Sequence, residues 1–548
     1  MSFPNRIAVE LAAVALIAAT SLGFGIRSEG IASGIVDPIL HAGAQDEAVY
    51  GHAAARMVRT GDWMTPIFLE RFMLNKPPLL LWAGAGSMRL FGINPVALRL
   101  PVLAGGVLCC VLVYWWVRRT RSMAAGLAAV VFLLGMPVFH AMNRIFMTDA
   151  LLTLCIVAAM VLTSSDPSWE RRATSIVFGV LSGAAVMTKS AAGLLPLLMI
   201  AVYWVFSWVG AGSKERPPLR KILMACAAAV IVGAPWHIYQ FVVHRDWFMA
   251  EYVRFQLLGS GVTAPSRYTE DSNFWFYLKT LLRTDPVLLG LWLTSLPWIA
   301  MAWKKAEKTQ ARLLTAWFLV SVLALGVFGT RAAYYLLPLL PVLALMTAEF
   351  SPLLRGRLAW IVCAALAVIF AVRADYKPST VPASGALDSY SRLRRTNELL
   401  IVSIDDEFYA SVLDLPKVRY VYLTPLDATK TSEFFYRLGM IVSGEEFCSL
   451  RRLMSVYEQR LRDWKLPPSL HPEATLIDSG AVSELARLIQ CSPDRDFLIP
   501  ENLRSLIPSD DHIVMPAAGG EFLLLAKNSS RRTEGSIAPG TIISSPPQ

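Results

Sequence analysis

The sequence predicts an α-helical polytopic membrane protein of about eleven transmembrane helices, followed by a C-terminal extracytoplasmic α/β domain. Three observations predict it. Of 548 residues, 55% are hydrophobic and only 17% charged, whereas soluble chains carry roughly 25% charged residues. The apolar residues form blocks, several of them long enough for the ~20 residues that a bilayer crossing takes. They recur well past the N-terminus, so a cleaved leader does not account for them. Every second loop between blocks is short and rich in Lys and Arg, which marks the cytoplasmic side.

In order, the predicted spans are 7–26, 97–117, 123–139, 147–163, 174–189, 191–209, 222–242, 286–303, 313–329, 333–350 and 358–372. The basic loops carry Arg118, Arg119 and Arg121, then Arg171 and Arg172, then Lys214, Arg216, Arg220 and Lys221. Lys304, Lys305, Lys308 and Arg312 follow, then Arg355 and Arg357. Their alternation places the N-terminus in the cytoplasm and the segment from about Asp375 outside it. The net charge of +10 is then an orientation signal and a contact with anionic headgroups, not a nucleic-acid footprint.

The outside loops differ from the basic ones. The first, about 27–96, holds two amphipathic helix candidates, one from Asp46 to a stop at Gly61 and one from Pro77 to a stop at Gly92. A second long outside loop covers 243–285. The chain thus divides into a membrane domain, 1–375, and an extracytoplasmic α/β domain, 376–548. The latter shows strand-like runs at 399–404, 419–423 and 522–526 and helix-like runs at 433–438 and 446–464. Its last stretch, 528–548, is Ser/Pro/Gly-rich and reads as disordered. Cys109, Cys110, Cys155, Cys226 and Cys363 lie in apolar blocks as small core residues. Cys448 and Cys491 lie in the tail, where an oxidising compartment would let them pair.

Residues able to do chemistry gather in the outside segments. Asp46 and Glu47 stand at a helix start, where one reading is a cap with a dipole-facing neighbour and the other a general base for an acceptor hydroxyl. Lys76, before Pro77 and Pro78, is either a surface lysine at a helix entrance or a compact cation for a phosphate. Asp149, beside Thr148, either caps its span or serves function, since a carboxylate at span depth is costly. Lys189 at an outer span end fits snorkelling as well as substrate contact. Tyr334 and Tyr335 fit interfacial anchors, but Arg331 beside them is unusual in an outside loop. In the long loop, Arg254 is one of several charged candidates without decisive spacing.

Taken in order, several motifs resemble one known family. They are Asp46-Glu47-Ala48-Val49-Tyr50, Gly61-Asp62-Trp63, Lys76-Pro77-Pro78-Leu79 with Trp82, and Arg99-Leu100-Pro101. Arg144 with Asp149, Pro235-Trp236, the aromatic run 274–277 before Pro297-Trp298, and Tyr334-Tyr335 with Pro338 and Pro341 continue the pattern. Together they resemble the C-type polytopic membrane glycosyltransferases, closest to the aminoarabinose-to-lipid A transferases and their protein O-mannosyltransferase-like relatives. The likeness covers about the first 375 residues.

The resemblance implies transfer of a sugar from a polyprenyl-phosphate donor, with inversion, to a lipid A-like glycolipid or a protein or glycan hydroxyl. The reaction would take place on the outer face of a bacterial inner membrane. It implies Asp46 as first catalytic carboxylate, Asp149 as second and Glu47 beside them. Lys76 would meet the donor phosphate, with Arg331, Arg254, Tyr335, Tyr334 and Lys189 on the phosphate side. Val49 stands where the lipid A enzymes often carry Arg, and Asn75 where they often carry an acidic residue. The second change removes a possible metal ligand, so no metal requirement is expected, and no cofactor. The expected partners are the polyprenyl-linked sugar, a lipid or protein acceptor and membrane lipids, with no nucleic acid. A membrane transporter and a non-catalytic envelope scaffold are the rival classes. A transporter should place its ionisable residues near the midplane on interrupted helices.

Overall fold

The fold comes from a computed structural model, which describes residues 3–24, 26, 43–68, 71–208, 216–249, 252–253, 256–258, 275–303, 308–327 and 331–373. Beyond these it describes residue 504 and the strands between 399 and 527. The helices, in order, are α1 (Phe3–Gly23), α2 (Gly43–Thr60), α3 (Leu79–Phe91), α4 (Pro95–Thr120), α5 (Met123–Leu134) and α6 (Pro137–Met142). Then come α7 (Thr148–Ser165), α8 (Arg172–Lys189), α9 (Leu195–Trp208), α10 (Leu219–Val243) and the single turn α11 (Arg245–Trp247). The series closes with α12 (Phe276–Thr284), α13 (Pro286–Leu293), α14 (Leu296–Ala302), α15 (Lys308–Val327), α16 (Leu340–Phe350) and α17 (Leu358–Arg373).

Local chemistry sets several of these ends. Gly61 stops α2 at φ +77° and Gly92 stops α3 at φ +84°, a backbone that residues with a Cβ rarely adopt. Asn94 caps α4, its Oδ1 accepting the Ala97 N–H at 2.9 Å, and Pro95 takes the first helical position. The first helix of the outside loop starts at Gly43, so Asp46 lies inside it and not at its cap.

Among the described residues, seven helical runs are long and apolar enough to cross a membrane, and up to eight if the pair Phe276–Thr284 and Pro286–Ala302, bent by 106°, is one span. The chain is therefore a multi-pass membrane protein. This count is below eleven for identifiable reasons. Arg172–Trp208 passes as one run although Ser190 breaks it, and Met123–Leu134 and Leu358–Ala371 are shorter apolar helices. Burial sorts the spans. Ala333–Phe350 is 94% buried, while Leu219–Val243 is 22% buried and turns Val230, Ile231 and Val242 outward. The outer helix α10 still packs closely on α8, because a Cβ on Gly179 would lie 2.2 Å from the Ala225 carbonyl and one on Gly183 2.7 Å from that of Ala229.

The bundle has two chemically distinct ends. At one, Glu10 accepts from Arg118 and Tyr114, Glu349 accepts from Arg121 and Thr120, and Arg119 reaches Ser164 and Ser165. The same spans carry Asp149 and Tyr334 at their opposite ends.

After α2, Asp62 Oδ1 accepts the Met64 and Thr65 N–H groups, turning the chain into a short hairpin, β1 (Ile67–Phe68) and β2 (Arg71–Phe72). The Met64 carbonyl accepts from Trp236 Nε1 at 2.9 Å and Gln240 Nε2 at 2.6 Å, and the Trp63 carbonyl from Trp82 Nε1 at 2.6 Å. These bonds pin the hairpin to α10 and α3 just before Lys76.

The C-terminal segment contributes β3 (Leu399–Ser403), β4 (Val418–Thr424), β5 (Thr475–Asp478), β6 (Asp496–Pro500), β7 (His512–Pro516) and β8 (Phe522–Lys527). They form one sheet in the order β5-β4-β3-β6-β8-β7, parallel from β5 to β6 and antiparallel from β6 through β8 to β7. The expected helical runs at 433–438 and 446–464, the stretch 528–548, and Cys448 and Cys491 lie outside the described residues. The five described cysteines are free.

Candidate active site

The closest-knit group of candidate residues is built where α7 begins and α8 ends. Asp149, in the first turn of α7, caps nothing: its Oδ1 accepts from Lys189 Nζ at 2.5 Å and its Oδ2 from Thr148 Oγ1 at 3.3 Å. Both partners of the Lys189–Asp149 pair are largely buried, so Lys189 does not snorkel. The Lys189 ammonium also sits 4.4 Å from the Tyr335 ring centroid and 5.6 Å from that of Tyr334, where the aromatic faces stabilise a cation. Tyr334 is buried and the two rings meet edge to face at 4.8 Å. They are packed against the lysine and are not surface anchors. The helix break that aims Lys189 is strained: Ser190 has φ +49°.

Glu47 points elsewhere. Its two oxygens accept from Arg99 Nε and Nη2 at 2.7 and 2.8 Å, a buried bidentate pair. Arg99 Nη1 donates to the Ile26 carbonyl at 3.2 Å, and the Phe146 N–H donates to Glu47 Oε1 at 2.9 Å. Glu47 therefore ties α2 to α4 and to the loop three residues ahead of Asp149. Asp46 is on the same helix, but its side chain lies outside the described residues, as does the whole of Arg254.

Lys76 Nζ donates to Gln256 Oε1 at 2.7 Å, bringing the first outside loop against the second. Around this contact Leu74, Phe72, Met187, Trp236, Trp247, Phe248 and Tyr252 form one apolar cluster. Met187 is two residues before Lys189, so the Lys76 segment and the Lys189 break share a packing unit. In the same unit His237 Nε2 meets the Tyr252 hydroxyl at 2.7 Å. Burial raises the Tyr252 pKa, which keeps that hydroxyl protonated at neutral pH.

Arg331 is buried, with its guanidinium carbon 5.9 Å from the Tyr277 ring centroid. Asp149 and Arg331 both lie within electrostatic reach of Tyr277. Asp149, Lys189, Tyr334, Tyr335 and Arg331 are thus brought to one neighbourhood. Tyr277, Gln256 and Arg99 received no role from sequence reasoning. Only Arg99 carried a readable signal, as a cation at the start of an apolar block that follows an outside segment with buried-carboxylate candidates.

Comparison with known proteins agrees with this architecture. Residues 75–239 match the family model of dolichyl-phosphate-mannose-protein mannosyltransferases. The undecaprenyl phosphate-alpha-4-amino-4-deoxy-L-arabinose arabinosyl transferase of Aeromonas salmonicida is 28% identical over 322 residues, 55% of each chain. An uncharacterised protein of Aquifex aeolicus is 25% identical over 308 residues, 56% of this chain and 58% of that one. The crystal structure of ArnT from Cupriavidus metallidurans bound to undecaprenyl phosphate superposes with a TM-score of 0.67 at 15% identity, covering 95% of this chain and 98% of the other. The chain resembles the C-type membrane glycosyltransferases in sequence and in fold. The chain spans little more than half the length of the curated relatives it matches, whereas the likeness in fold to ArnT runs along nearly the whole chain. The family-matched stretch includes Lys76, Asp149 and Lys189 but not Asp46, Arg331 or Tyr277.

Proposed function

We propose that the protein transfers a sugar from a polyprenyl-phosphate donor to an envelope acceptor, a lipid A-like glycolipid or a protein or glycan hydroxyl. The reaction takes place on the outer face of a bacterial inner membrane that the chain crosses about eleven times. The observation that carries this reading is the cluster of buried Asp149 and Arg331 with half-buried Lys189 and Tyr335 at the bundle end opposite the basic loops. The fold shared with ArnT supports it, and so do the arabinosyl transferase relatives.

In the transfer, the acceptor oxygen bonds to the sugar carbon as the bond from that carbon to the phosphate oxygen breaks. The donor phosphodiester carries one negative charge and the departing polyprenyl phosphate two. Lys76 and Arg331 bind the second state more tightly, so their interaction favours the transition state over the ground state. With a hydroxyl acceptor, Asp46 takes its proton. With an ionised phosphate acceptor no base is needed, and the carboxylates position it. Displacement opposite the leaving phosphate inverts the sugar carbon. Lys189 holds Asp149 in place for either acceptor. The second domain, with its mixed sheet, is read as an α/β unit on the same outer side. The test is transfer of labelled sugar from a polyprenyl-phosphate donor in membranes. Asp46→Asn and Lys76→Ala should each lower the rate at least 100-fold (about 2.7 kcal/mol of barrier). Full transfer by both variants would sink the proposal.

A further inference from the structure

Two buried donors of this site have no acceptor. Arg331 is 8% exposed and Tyr277 6% exposed. Arg331 Nε and Nη1 and the Tyr277 hydroxyl are buried without a hydrogen-bond partner of ordinary geometry. The Ala332 backbone lies near the tyrosine hydroxyl. Buried polar groups are otherwise nearly always satisfied, because water is no longer there to replace the lost bond. A cation is the costliest kind to leave unmet. The adjacent carboxylate does not meet it, since Asp149 is taken by Lys189. Among the described residues Arg331 forms no ion pair. The two donors come from different parts of the chain, Tyr277 from the start of α12 and Arg331 from the segment ahead of the turn Ala333–Leu339. The guanidinium lies against the tyrosine ring.

We propose that Tyr277 and Arg331 form one oxyanion subsite, in which the guanidinium and the tyrosine hydroxyl both donate to the oxygens of a phosphate. Tyr277 is then a substrate-binding residue and not packing alone. The proposal rests on the glycosyltransferase reading, which supplies two sources of such a phosphate: the polyprenyl phosphate of the donor and a phosphate on the acceptor lipid. A single charge with several acceptor oxygens matches the stock of unmet donors, because a phosphate can accept from Nε, Nη1 and the hydroxyl together. A neutral sugar would leave the guanidinium charge without its counterpart.

The experiment uses the purified full chain in detergent, with thermal unfolding followed against added undecaprenyl phosphate and, separately, lipid A. Tyr277→Phe should leave the ligand-free midpoint unchanged or higher, since it removes a buried hydroxyl whose proton has no acceptor. It should weaken phosphate binding about tenfold, and Arg331→Gln by at least as much. Arg331→Lys should not restore it, because an ammonium lacks the planar fork. Weakening confined to undecaprenyl phosphate assigns the subsite to the donor, and weakening confined to lipid A assigns it to the acceptor. Either result, or both, supports the proposal. Wild-type affinity of Tyr277→Phe for both ligands overturns it while leaving the glycosyltransferase reading in place. A lowered ligand-free midpoint with unchanged affinity makes the tyrosine structural and overturns it as well. If neither ligand shifts the wild type, this proposal and the proposed function fail together.

Discussion

At the scale of single residues, the Lys189–Asp149 pair makes the sharpest claim. Removing the lysine leaves a carboxylate buried without its cation, and breaking such a pair from one side is far costlier than removing both charges. Lys189→Met should therefore cost about 3 kcal/mol of stability. Asp149→Asn in the Lys189→Met background should return much of that loss. A double-mutant cycle read by thermal unfolding checks this, and strictly additive effects would refute the coupling. The candidates Asp46, Lys76, Asp149 and Arg331 were legible in the sequence because charged groups at the starts of outside helices or at span ends need a reason to be there. Their partners were not, because a contact such as Glu47 to Arg99 joins residues 52 positions apart. Nothing local distinguishes Glu47 from Asp46 beside it. Tyr277 was hidden for another reason: aromatic residues near a membrane boundary are common, and only its buried, unmet hydroxyl sets it apart.

Among the elements, the helical blocks were easy to read and their breaks were not. Apolar runs announce helices, while the kink between α5 and α6 or the bend at Asp285 depends on how neighbours pack. The glycines of α8 show what packing demands. A Cβ on Gly179 would be 2.2 Å from the Ala225 carbonyl. Gly179→Ala should therefore push α10 outward and cost roughly 2 kcal/mol, as overpacked sites do. By contrast Gly86→Ala, with nothing within 4 Å of the new Cβ, should be neutral or stabilising by up to about 1 kcal/mol. Thermal unfolding of the two variants would separate packing from helix propensity.

The hairpin adds a pH dependence. His244 lies 4.3 Å from the Phe72 ring and 3.4 Å from Thr65 Oγ1. Burial lowers its pKa, opposed by the Asp62 carboxylate. Its folded pKa therefore lies below the unfolded value of about 6.5. The unfolded state binds the proton more readily, so the stabilisation present above pH ~6.5 is lost as pH falls from there through the folded pKa. Hydrogen exchange across the hairpin should accelerate on acidification in the wild type and not in His244→Gln. Equal acceleration in both would assign the effect to another group.

For the whole molecule, the two ends of the bundle predict sidedness. A cysteine placed at Asp62 should react with a membrane-impermeant thiol reagent added outside the inner membrane, and one placed at Arg121 should not. Reaction at both positions, or the reverse pattern, would invalidate the assigned orientation. The same scale exposes a constraint on biogenesis. The most buried span, Ala333–Phe350, is among the last to be synthesised, and α16 packs against α4, α5, α13, α14 and α15. Until the ribosome has delivered it, helices made hundreds of residues earlier have no central partner. The Asp149 end of α7 likewise lacks Tyr334 and Tyr335. Assembly in the bilayer must therefore keep an open, half-built bundle from joining wrong neighbours for most of translation. A nascent chain cut short near residue 330 should be a substrate for membrane proteolysis, although it already holds Asp46, Lys76, Asp149 and Lys189.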